Sequence, residues 1–312
     1  MPERTLVTGA LGCVGAWALK ALLDDGEQPV GYDLGDETHR LRLMIAPDEL
    51  ARVTLVQGDI TDLEALGRAL DDHEVTRVIH LAALQVPFVR ADPPTGVRVN
   101  VAGTINVFEA VKRRLGRIEG VAYASSAAVY NASDPSPAPE AGGTAPATLY
   151  GVTKLADEGA ARVYWRDDRL PSIGIRPYVV YGPGRDQGMT SGPTQAMQAA
   201  VRGEPYEIGY GGSAQYDHAP DVGRAFVEAS RAATKEAHVF NFPGVVASIE
   251  EVVAAIEAAV PEAVGLVTWS GPPLPFPAAL EATGLELKVG PLPRTPLAEG
   301  VRRTVELFRR AS

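Results

Sequence analysis

The chain has 312 residues, 46% hydrophobic and 22% charged, so it can bury a large core and carries no long run of like charge. Its net charge of −10 argues against nucleic-acid binding, which needs a concentrated basic face. One cysteine cannot form an internal disulfide, no signal-peptide pattern opens the chain, and no stretch approaches the roughly 18 apolar residues of a membrane helix. We therefore expect a soluble, cytoplasmic protein without membrane contact, and no metal site is predicted.

The first half of the chain alternates short apolar runs with longer helical patterns. Strands are predicted over 5–7, 29–33, 53–57, 77–82, 121–125 and 172–176. Helices are predicted over 14–24, 63–70, 97–115 and 150–165. Such alternation is typical of a parallel sheet covered on both faces, which right-handed crossovers wind into a doubly wound fold. The predicted fold class is therefore α/β, with a Rossmann-type sheet.

The regular alternation ends near Pro177, after which segments rich in glycine and proline alternate with short helices. A helix over 221–233 and a strand over 239–242 are still indicated. Residues 131–148, with four prolines and two glycines, are predicted to be a surface loop. We expect residues 1–177 to form the Rossmann domain, joined by returning segments near 219–242. Residues 178–312 should form mainly a smaller lobe that binds the substrate.

A glycine-rich turn stands between the first predicted strand and the first predicted helix, and it reads Thr8-Gly9-Ala10-Leu11-Gly12-Cys13-Val14-Gly15. Gly9 allows the tight turn, Gly12 lets the backbone approach a pyrophosphate, and Gly15 lets the helix pack closely on the strand. The free N–H groups and the positive dipole end of the helix then face the anion. This context predicts a dinucleotide site; the alternative is a glycine-rich turn without a ligand.

A carboxylate follows at the end of the second predicted strand, where Asp33 stands 18 residues beyond Gly15. An acid at this point accepts hydrogen bonds from the ribose hydroxyls and repels a 2′-phosphate. His39 and Arg40 lie close behind and could contact such a phosphate. Asp33 could also simply cap the next turn. The pattern favours NAD over NADP.

A tyrosine and a lysine stand four residues apart, Tyr150 and Lys154, at the start of a predicted helix. This spacing places both side chains on one face, where the ammonium favours the phenolate form of the phenol. Such a phenol can take a proton from an alcohol while hydride leaves the same carbon. Ser126 follows the fifth predicted strand, where open α/β sheets bind ligands, and could hold the substrate oxygen. The alternative is a surface Tyr/Lys pair with no such role.

Together these motifs resemble the extended short-chain dehydrogenases/reductases of the sugar-nucleotide epimerase/dehydratase type, over nearly the whole chain. The further residues that carry the resemblance are Gly58-Asp59-Ile60, His80-Leu81-Ala82-Ala83, Asn100, Ser125-Ser126-Ala127-Ala128-Val129-Tyr130, Arg176-Pro177, Tyr181-Gly182-Pro183-Gly184 and the stretch 293–301. Motifs in this order and spacing are far more specific than any one of them alone.

The resemblance implies a role for individual positions. Tyr150 would be the acid/base, Ser126 its partner, and Lys154 would also bind the nicotinamide ribose. The cofactor contacts expected on these grounds are Gly9, Leu11, Gly12, Cys13, Val14, Gly15, Asp33, Asp59, Ile60, Leu81, Ala82, Ala83, Asn100, Tyr150, Lys154, Pro177, Val179 and Val180. A homodimer through the helices that begin near residues 97 and 150 is also expected.

Departures from the family pattern bear on the substrate. Dehydratases of this type carry an Asp-Glu pair directly after the active-site hydroxyl residue, where this chain has Ala127 and Ala128, so dehydration is not expected. Nucleotide-sugar members bind the diphosphate with arginines. Ala214, seven residues before Asp221, occupies the first arginine position, and 270–281 contains no basic residue. Either the substrate lacks a diphosphate or another arginine replaces them, at Arg185, Arg202 or Arg224.

The leading hypothesis is an NAD-dependent dehydrogenase that oxidises a secondary alcohol of a small sugar, sugar acid or polyol. Its candidate substrate contacts are Gln85, Ser125, Ser126, Arg185, Gln187, Thr190, Ser191 and His218, although His218 is equally well explained as a core or interface histidine. The alternative is a UDP-hexose type 4-epimerase with tightly bound NAD. A non-catalytic NAD sensor is a third reading, against which the intact Ser126, Tyr150 and Lys154 argue.

Overall fold

The computed structural model describes residues 3–142 and 145–311. Its strands are β1 (Thr5–Thr8), β2 (Val30–Asp33), β3 (Thr54–Gln57), β4 (Arg77–His80), β5 (Val121–Ala124), β6 (Ser172–Arg176), β7 (Val179–Tyr181), β8 (Tyr206–Ile208), β9 (Ser213–His218), β10 (Ala237–Asn241), β11 (Val245–Ser248) and β12 (Val267–Trp269). Its α-helices are α1 (Cys13–Asp24), α2 (His39–Met44), α3 (Pro47–Leu50), α4 (Leu63–Asp72), α5 (Val86–Ala91), α6 (Pro93–Val97), α7 (Gly103–Lys112), α8 (Leu149–Asp168), α9 (Gly192–Arg202), α10 (Ala219–Ala232), α11 (Ile249–Ala259), α12 (Gly284–Val289) and α13 (Leu297–Ala311).

Seven of the strands form one parallel sheet in the order β10-β6-β5-β4-β1-β2-β3. Every residue of β1, β4 and β6 is buried, whereas the edge strand β3 is largely exposed. The centres of these buried strands are apolar, as is typical of parallel sheets, which is why the sequence predicts them although polar residues stand at their ends. The α/β, doubly wound prediction is confirmed.

Alternate residues of the central strands face two different helical layers, as the period of two in a strand requires. Leu6, Val78 and Val121 pack with apolar side chains of α4, α7 and α8. The next residues along, including Val7 and Ile79, pack instead with side chains of α1 and α10. Both faces of these central strands are therefore covered, which leaves their carboxyl ends for a ligand.

The single helix predicted over 97–115 is in fact interrupted. Helix α6 ends at Val97, a π-helical turn follows over Arg98–Ala102, and α7 begins at Gly103. Within the turn the Asn100 amide accepts a hydrogen bond from the Leu84 backbone N–H (2.7 Å) and donates one to the Leu84 carbonyl (3.0 Å). This pairing holds the loop after β4 against the helix, a tertiary constraint that helical periodicity does not reveal.

The C-terminal part contains two small sheets that the sequence did not predict, with orders β11-β9-β7 and β12-β8. These strands are short and lie among glycines and prolines, which weakens their pattern. Helices α9, α11 and α13 pack around an apolar cluster that includes Met197, Ile249 and Phe308. Strand β10 joins the main sheet beside β6, and α10 packs against α1. In the described part of the chain, no helix is long and apolar enough to cross a membrane.

The segment predicted as a surface loop, 131–148, has no helix before Leu149 in its described residues, but it is not wholly at the surface. Ala138 is completely buried. Its N–H donates to the Ala279 carbonyl, and its own carbonyl accepts from the Glu281 N–H, both at 2.9 Å. This bridge, together with the hydrogen bonds that Arg176 and Asn241 donate to Glu140, draws the loop inward. The prediction is corrected to that extent, and residues 143–144 lie outside the described part.

Candidate active site

The glycine-rich turn adopts the close packing that its glycines permit. Gly9 has φ +67°, and a Cβ there would lie 2.7 Å from the Ala82 nitrogen. A Cβ on Gly15 would lie only 2.1 Å from the Gly9 carbonyl oxygen, so neither position tolerates a side chain. No side chain caps the start of α1 at Gly12. The turn and helix start therefore present backbone N–H groups that fit a dinucleotide pyrophosphate.

Asp33 lies beside this turn at the end of β2. Its Oδ2 accepts a hydrogen bond from the Leu11 N–H (2.9 Å), and its Oδ1 accepts one from the Gly35 N–H (3.3 Å). The Arg40 guanidinium donates to the Leu11 carbonyl at 3.0 Å and pairs with the Asp186 carboxylate at 2.7 Å. The cation that could have met a 2′-phosphate is therefore already engaged by a carboxylate.

One cavity of about 660 Å³ runs from the glycine turn to the start of α8. The predicted cofactor contacts that line it are Gly9, Leu11, Gly12, Cys13, Val14, Gly15, Asp33, Asp59, Ile60, Leu81, Ala82, Ala83, Tyr150, Lys154, Pro177 and Val180. The predicted substrate contacts that line it are Gln85, Ser125, Ser126, Arg185 and Thr190. Residues from widely separated parts of the chain thus converge on a single cleft.

Five predicted contacts do not line this cavity. Asn100 is fully buried behind it, bound to Leu84, and Val179 is fully buried in the apolar cluster of the C-terminal part. Gln187 lines a smaller neighbouring cavity of about 260 Å³. The two remaining residues, Ser191 and His218, are both buried outside the lining of this cavity.

Ser191 turns its hydroxyl to the Gly188 carbonyl, to which it donates at 2.8 Å. His218 is buried with its ring 5.4 Å from that of Tyr181, between β9 and β7. Of the two readings of His218 that the sequence left open, a position in the core is the one observed. The directions of these two side chains follow from strand alternation and from backbone turns. Sequence spacing alone does not predict them.

Helix α8 begins where it does because Thr148 caps it, accepting a hydrogen bond from the Gly151 N–H (3.0 Å). A Cβ on Gly151 would lie 2.0 Å from the Ala128 carbonyl oxygen, so this glycine lets the helix start close to the turn after β5. That close approach places Tyr150 and Ser126 on the wall of the same cavity. The Ser126 hydroxyl accepts from the Ala128 N–H at 3.1 Å.

Lys154 is 2% exposed and points from α8 to the end of β5. Its ammonium donates to the Ala124 carbonyl (2.8 Å) and lies 6.0 Å from the centre of the Tyr150 ring.

Nearby, burial lowers the pKa of His80 to about 3, so its neutral ring bridges the hydroxyls of Thr8 (2.7 Å) and Thr104 (3.0 Å). His80 is thereby a structural link between β1, β4 and α7 and carries no charge at neutral pH.

The far end of the cavity has a mixed wall. Arg185 donates to Gln85 (3.1 Å) and to Thr190 (3.2 Å), both uncharged side chains. Tyr178 and Phe276 form the apolar part of the wall. The centres of their rings lie 5.9 Å apart in an edge-to-face arrangement. Sequence reasoning missed both aromatic residues, and Phe276 comes from a proline-rich segment that carries no motif. This end can therefore bind hydroxyl or anionic groups beside an apolar face.

Residues 5–242 match the family model described as the NAD dependent epimerase/dehydratase family. The chain belongs to this family. It is an extended short-chain dehydrogenase/reductase, and its relatives are NAD-dependent enzymes. A UDP-glucose 4-epimerase of Mycolicibacterium smegmatis is 32% identical over 324 residues, which is 99% of each chain.

Two solved structures extend the comparison. The NAD complex of a UDP-glucose 4-epimerase from Thermus thermophilus is 25% identical, with a TM-score of 0.81 over 99% of this chain and 100% of that one. A partial-consensus L-threonine 3-dehydrogenase has a TM-score of 0.85 over 99% of this chain and 100% of its own, at 21% identity, which shows a shared fold alone. The same fold thus occurs in an epimerase and in a dehydrogenase.

The first prediction concerns the phenol of Tyr150. If the phenol is the acid/base that the sequence predicts, Tyr150→Phe should lower turnover on the best substrate by about 100- to 10,000-fold, because the variant lacks the hydroxyl that would exchange the proton. Affinity for NAD, measured by calorimetry, should change little. Tyr164→Phe is the matched control, since Tyr164 lies on the same helix with its hydroxyl bound to Glu109. Equal losses in the two variants would contradict the assignment.

Proposed function

We propose that this protein is an NAD-dependent oxidoreductase that oxidises a secondary alcohol of a small sugar, sugar acid or polyol. The observation that carries the proposal is that Ser126, Tyr150 and Lys154 line the same cavity as the glycine turn and Asp33. An acid/base phenol therefore shares one enclosed space with a site built for a dinucleotide. Ala127 and Ala128 also line that space and offer no proton, which argues against dehydration.

Each residue then has a distinct part in the chemistry. Bound NAD supplies the acceptor for the hydride that leaves the alcohol carbon. Tyr150 takes the hydroxyl proton, Lys154 stabilises the resulting phenolate by its charge, and Ser126 orients the substrate oxygen. In the reduction direction the Tyr150 phenol returns the proton to the carbonyl oxygen. The glycine turn and Asp33 would hold the cofactor, and Lys154 would also bind its nicotinamide ribose.

We propose NAD over NADP as the natural cofactor. Asp33 and Glu37 both line the cavity near the glycine turn, so two carboxylates oppose an additional phosphate there. The neighbouring Arg40 is bound to Asp186 and does not offset them. A ribose with free hydroxyls suits this surface better than one with a 2′-phosphate.

Replacing Asp33 tests this preference. Asp33→Asn should raise the NADP-to-NAD ratio of kcat/KM by at least about tenfold, the equivalent of ~1.4 kcal/mol of removed repulsion. The matched control is Asp36→Asn, because Asp36 is exposed and does not line the cavity. Equal efficiency of the wild-type enzyme with both cofactors would refute the role given to Asp33.

The wall of the substrate end supports a small substrate. Ala214, at the first expected arginine position, is 2% exposed within β9, so no cation reaches the cavity from there. The 270–281 segment contributes Phe276 to the wall in place of a basic residue. Arg185, whose partners are neutral, is available for a substrate carboxylate or for hydroxyl groups.

A UDP-hexose 4-epimerase is the second candidate, and the full-length relative from Mycolicibacterium smegmatis favours it. In that reaction the same Tyr150 removes and returns the proton while the cofactor stays bound. Arg185 and Arg98, which also lines the cavity, would then meet the diphosphate. The two reactions differ in turnover, since a dehydrogenase accumulates NADH and an epimerase does not.

A substrate panel separates the two candidates. The purified protein is incubated with NAD and either free sugars, aldonates, uronates and polyols, or UDP-hexoses, and both NADH absorbance and sugar products are followed. We expect stoichiometric NADH with at least one free sugar, sugar acid or polyol. Interconversion of UDP-hexoses without net NADH, together with no reaction of the free compounds, would replace the first function by the second.

We further propose that residues 1–177, with the returning segments near 219–242, bind the cofactor and that 178–312 mainly bind the substrate. The three wall residues Tyr178, Arg185 and Phe276 belong to the second group. The single cysteine, Cys13, suits a reducing compartment, which supports a cytoplasmic location.

We also propose a homodimer through α7 and α8. Ile105 and Val163 are exposed apolar residues on these two helices, at 38% and 45%. Ile105→Glu combined with Val163→Glu should convert a dimer to a monomer in sedimentation velocity, because it places charges in an apolar interface. Leu287→Glu, on α12 at 88% exposure, should leave the assembly unchanged. A wild-type monomer at micromolar concentration would disprove the proposal.

A further inference from the structure

Helix α8 buries more charge than the proposed chemistry uses. Lys154, Asp157 and Glu158 are at most 2% exposed, all on the face that meets the sheet. Glu158 has its own cation, because Arg176 of β6 donates to both of its carboxylate oxygens, at 2.7 and 2.8 Å. Its Oε1 also accepts from the Ser125 hydroxyl at 2.5 Å. Lys154 is therefore the cation that remains to pair with the Asp157 carboxylate.

The Asp157 carboxylate lies directly beside the Lys154 ammonium, with Oδ2 3.3 Å from Nζ. The spacing of three residues along α8 brings the two together. From α7, the side chain of Thr104 lies against the same carboxylate. No second cation faces it among the described residues that contribute to its electrostatics, so its charge acts on Lys154.

The other titratable groups around this pair come from strands β4, β5 and β6 and from α8 itself. His80 of β4 stays neutral, because burial lowers its pKa to about 3. Tyr123 of β5 stays protonated, because burial raises its pKa well above the usual range. Glu158 is compensated by Arg176 of β6. Asp157 and Lys154 therefore form a local pair whose two charges oppose each other next to the active-site phenol.

The Asp157 carboxylate is buried, and the ammonium of Lys154 beside it favours its charged form. Desolvation raises the pKa of its carboxyl to about 6, and the Lys154 ammonium opposes that rise. Above this pH the carboxylate places a negative charge 3.3 Å from the Lys154 ammonium. The phenol of Tyr150 then meets an ammonium whose field is partly cancelled.

We propose that Asp157 is a positioning residue for the oxidoreductase chemistry: its carboxylate offsets the Lys154 charge and so sets the pH at which Tyr150 loses its proton. The inference rests on the proposed function only in taking Tyr150 as the acid/base. With Asp157 ionised, the phenolate is less stabilised and is a stronger base. The protonated phenol also persists to higher pH.

The ionisation of Tyr150 can be followed without any substrate. The phenolate absorbance of the NAD-saturated, full-length protein is titrated, and the same titration of Tyr150→Phe is subtracted. The chain suits this method because burial raises the pKa of every other tyrosine. These are Tyr32, Tyr123, Tyr130, Tyr164, Tyr178, Tyr181, Tyr206, Tyr210 and Tyr216. The difference signal therefore reports Tyr150.

Asp157→Asn should move the midpoint of this signal to lower pH by on the order of one unit, because it removes the negative charge that lies 3.3 Å from the Lys154 ammonium. Asp157→Ser should shift it in the same direction, and Asp157→Glu should restore the wild-type midpoint. Asp168→Asn is the matched control, since Asp168 lies at the end of the same helix and pairs with Lys112.

An unchanged midpoint in either folded neutral variant would overturn the proposal, and so would a shift to higher pH. A merely structural role predicts a lower melting temperature without a change of midpoint. Because no substrate enters the measurement, failure here is distinct from failure of the proposed function, which the substrate panel alone decides. Should Asp157→Asn not fold, Asp157→Ser provides the same comparison.

Discussion

The buried charges of α8 are the constraint on which the rest of the site depends. A charged side chain taken out of water costs several kcal/mol unless it is paired with good geometry. Here Glu158 is satisfied only where Arg176 can reach both of its oxygens, which ties α8 to β6. The same placement brings Lys154 within hydrogen-bonding distance of the Ala124 carbonyl at the end of β5. Tyr150 therefore reaches the cavity because residues two turns further along fix the helix.

Glycine provides the matching condition at the two points of closest approach. Gly151 lets the start of α8 touch the turn after β5, and Gly15 lets α1 pack on the glycine turn. The order of the main sheet reverses between β4 and β1, which are neighbours in space and far apart in sequence. Ligands of open α/β sheets bind at such a switch point, at the carboxyl ends of the strands. The cavity lies there. Charge pairing and close packing therefore both place the candidate site residues at this switch point.

The sequence predicts those parts of the molecule whose structure is decided locally. Buried strands such as β4 and β6 have an apolar centre that the sequence shows directly, and the geometry of the glycine turn follows from its own residues. Two features depend on partners elsewhere in the chain. The helix is interrupted near Asn100, which binds Leu84, and the loop bends inward at Ala138, which binds Ala279. Tertiary contacts also decide that His218 and Ser191 do not line the cavity. Tyr178 and Phe276 do line it, although no sequence motif indicates this.

The segment that closes over the glycine turn bears on the choice between the two candidate reactions. Trp17 donates to the Pro183 carbonyl at 3.0 Å, and Arg40 pairs with Asp186, so this segment lies across α1. A dehydrogenase must exchange its cofactor at every turnover, whereas an epimerase benefits from keeping it. Asp186 is 41% exposed, and exposed ion pairs contribute only about 0–1 kcal/mol. The Trp17–Pro183 hydrogen bond and the Arg40–Asp186 pair together hold this segment over the glycine turn, so the rate at which both contacts open bears directly on whether NAD can exchange at each turnover.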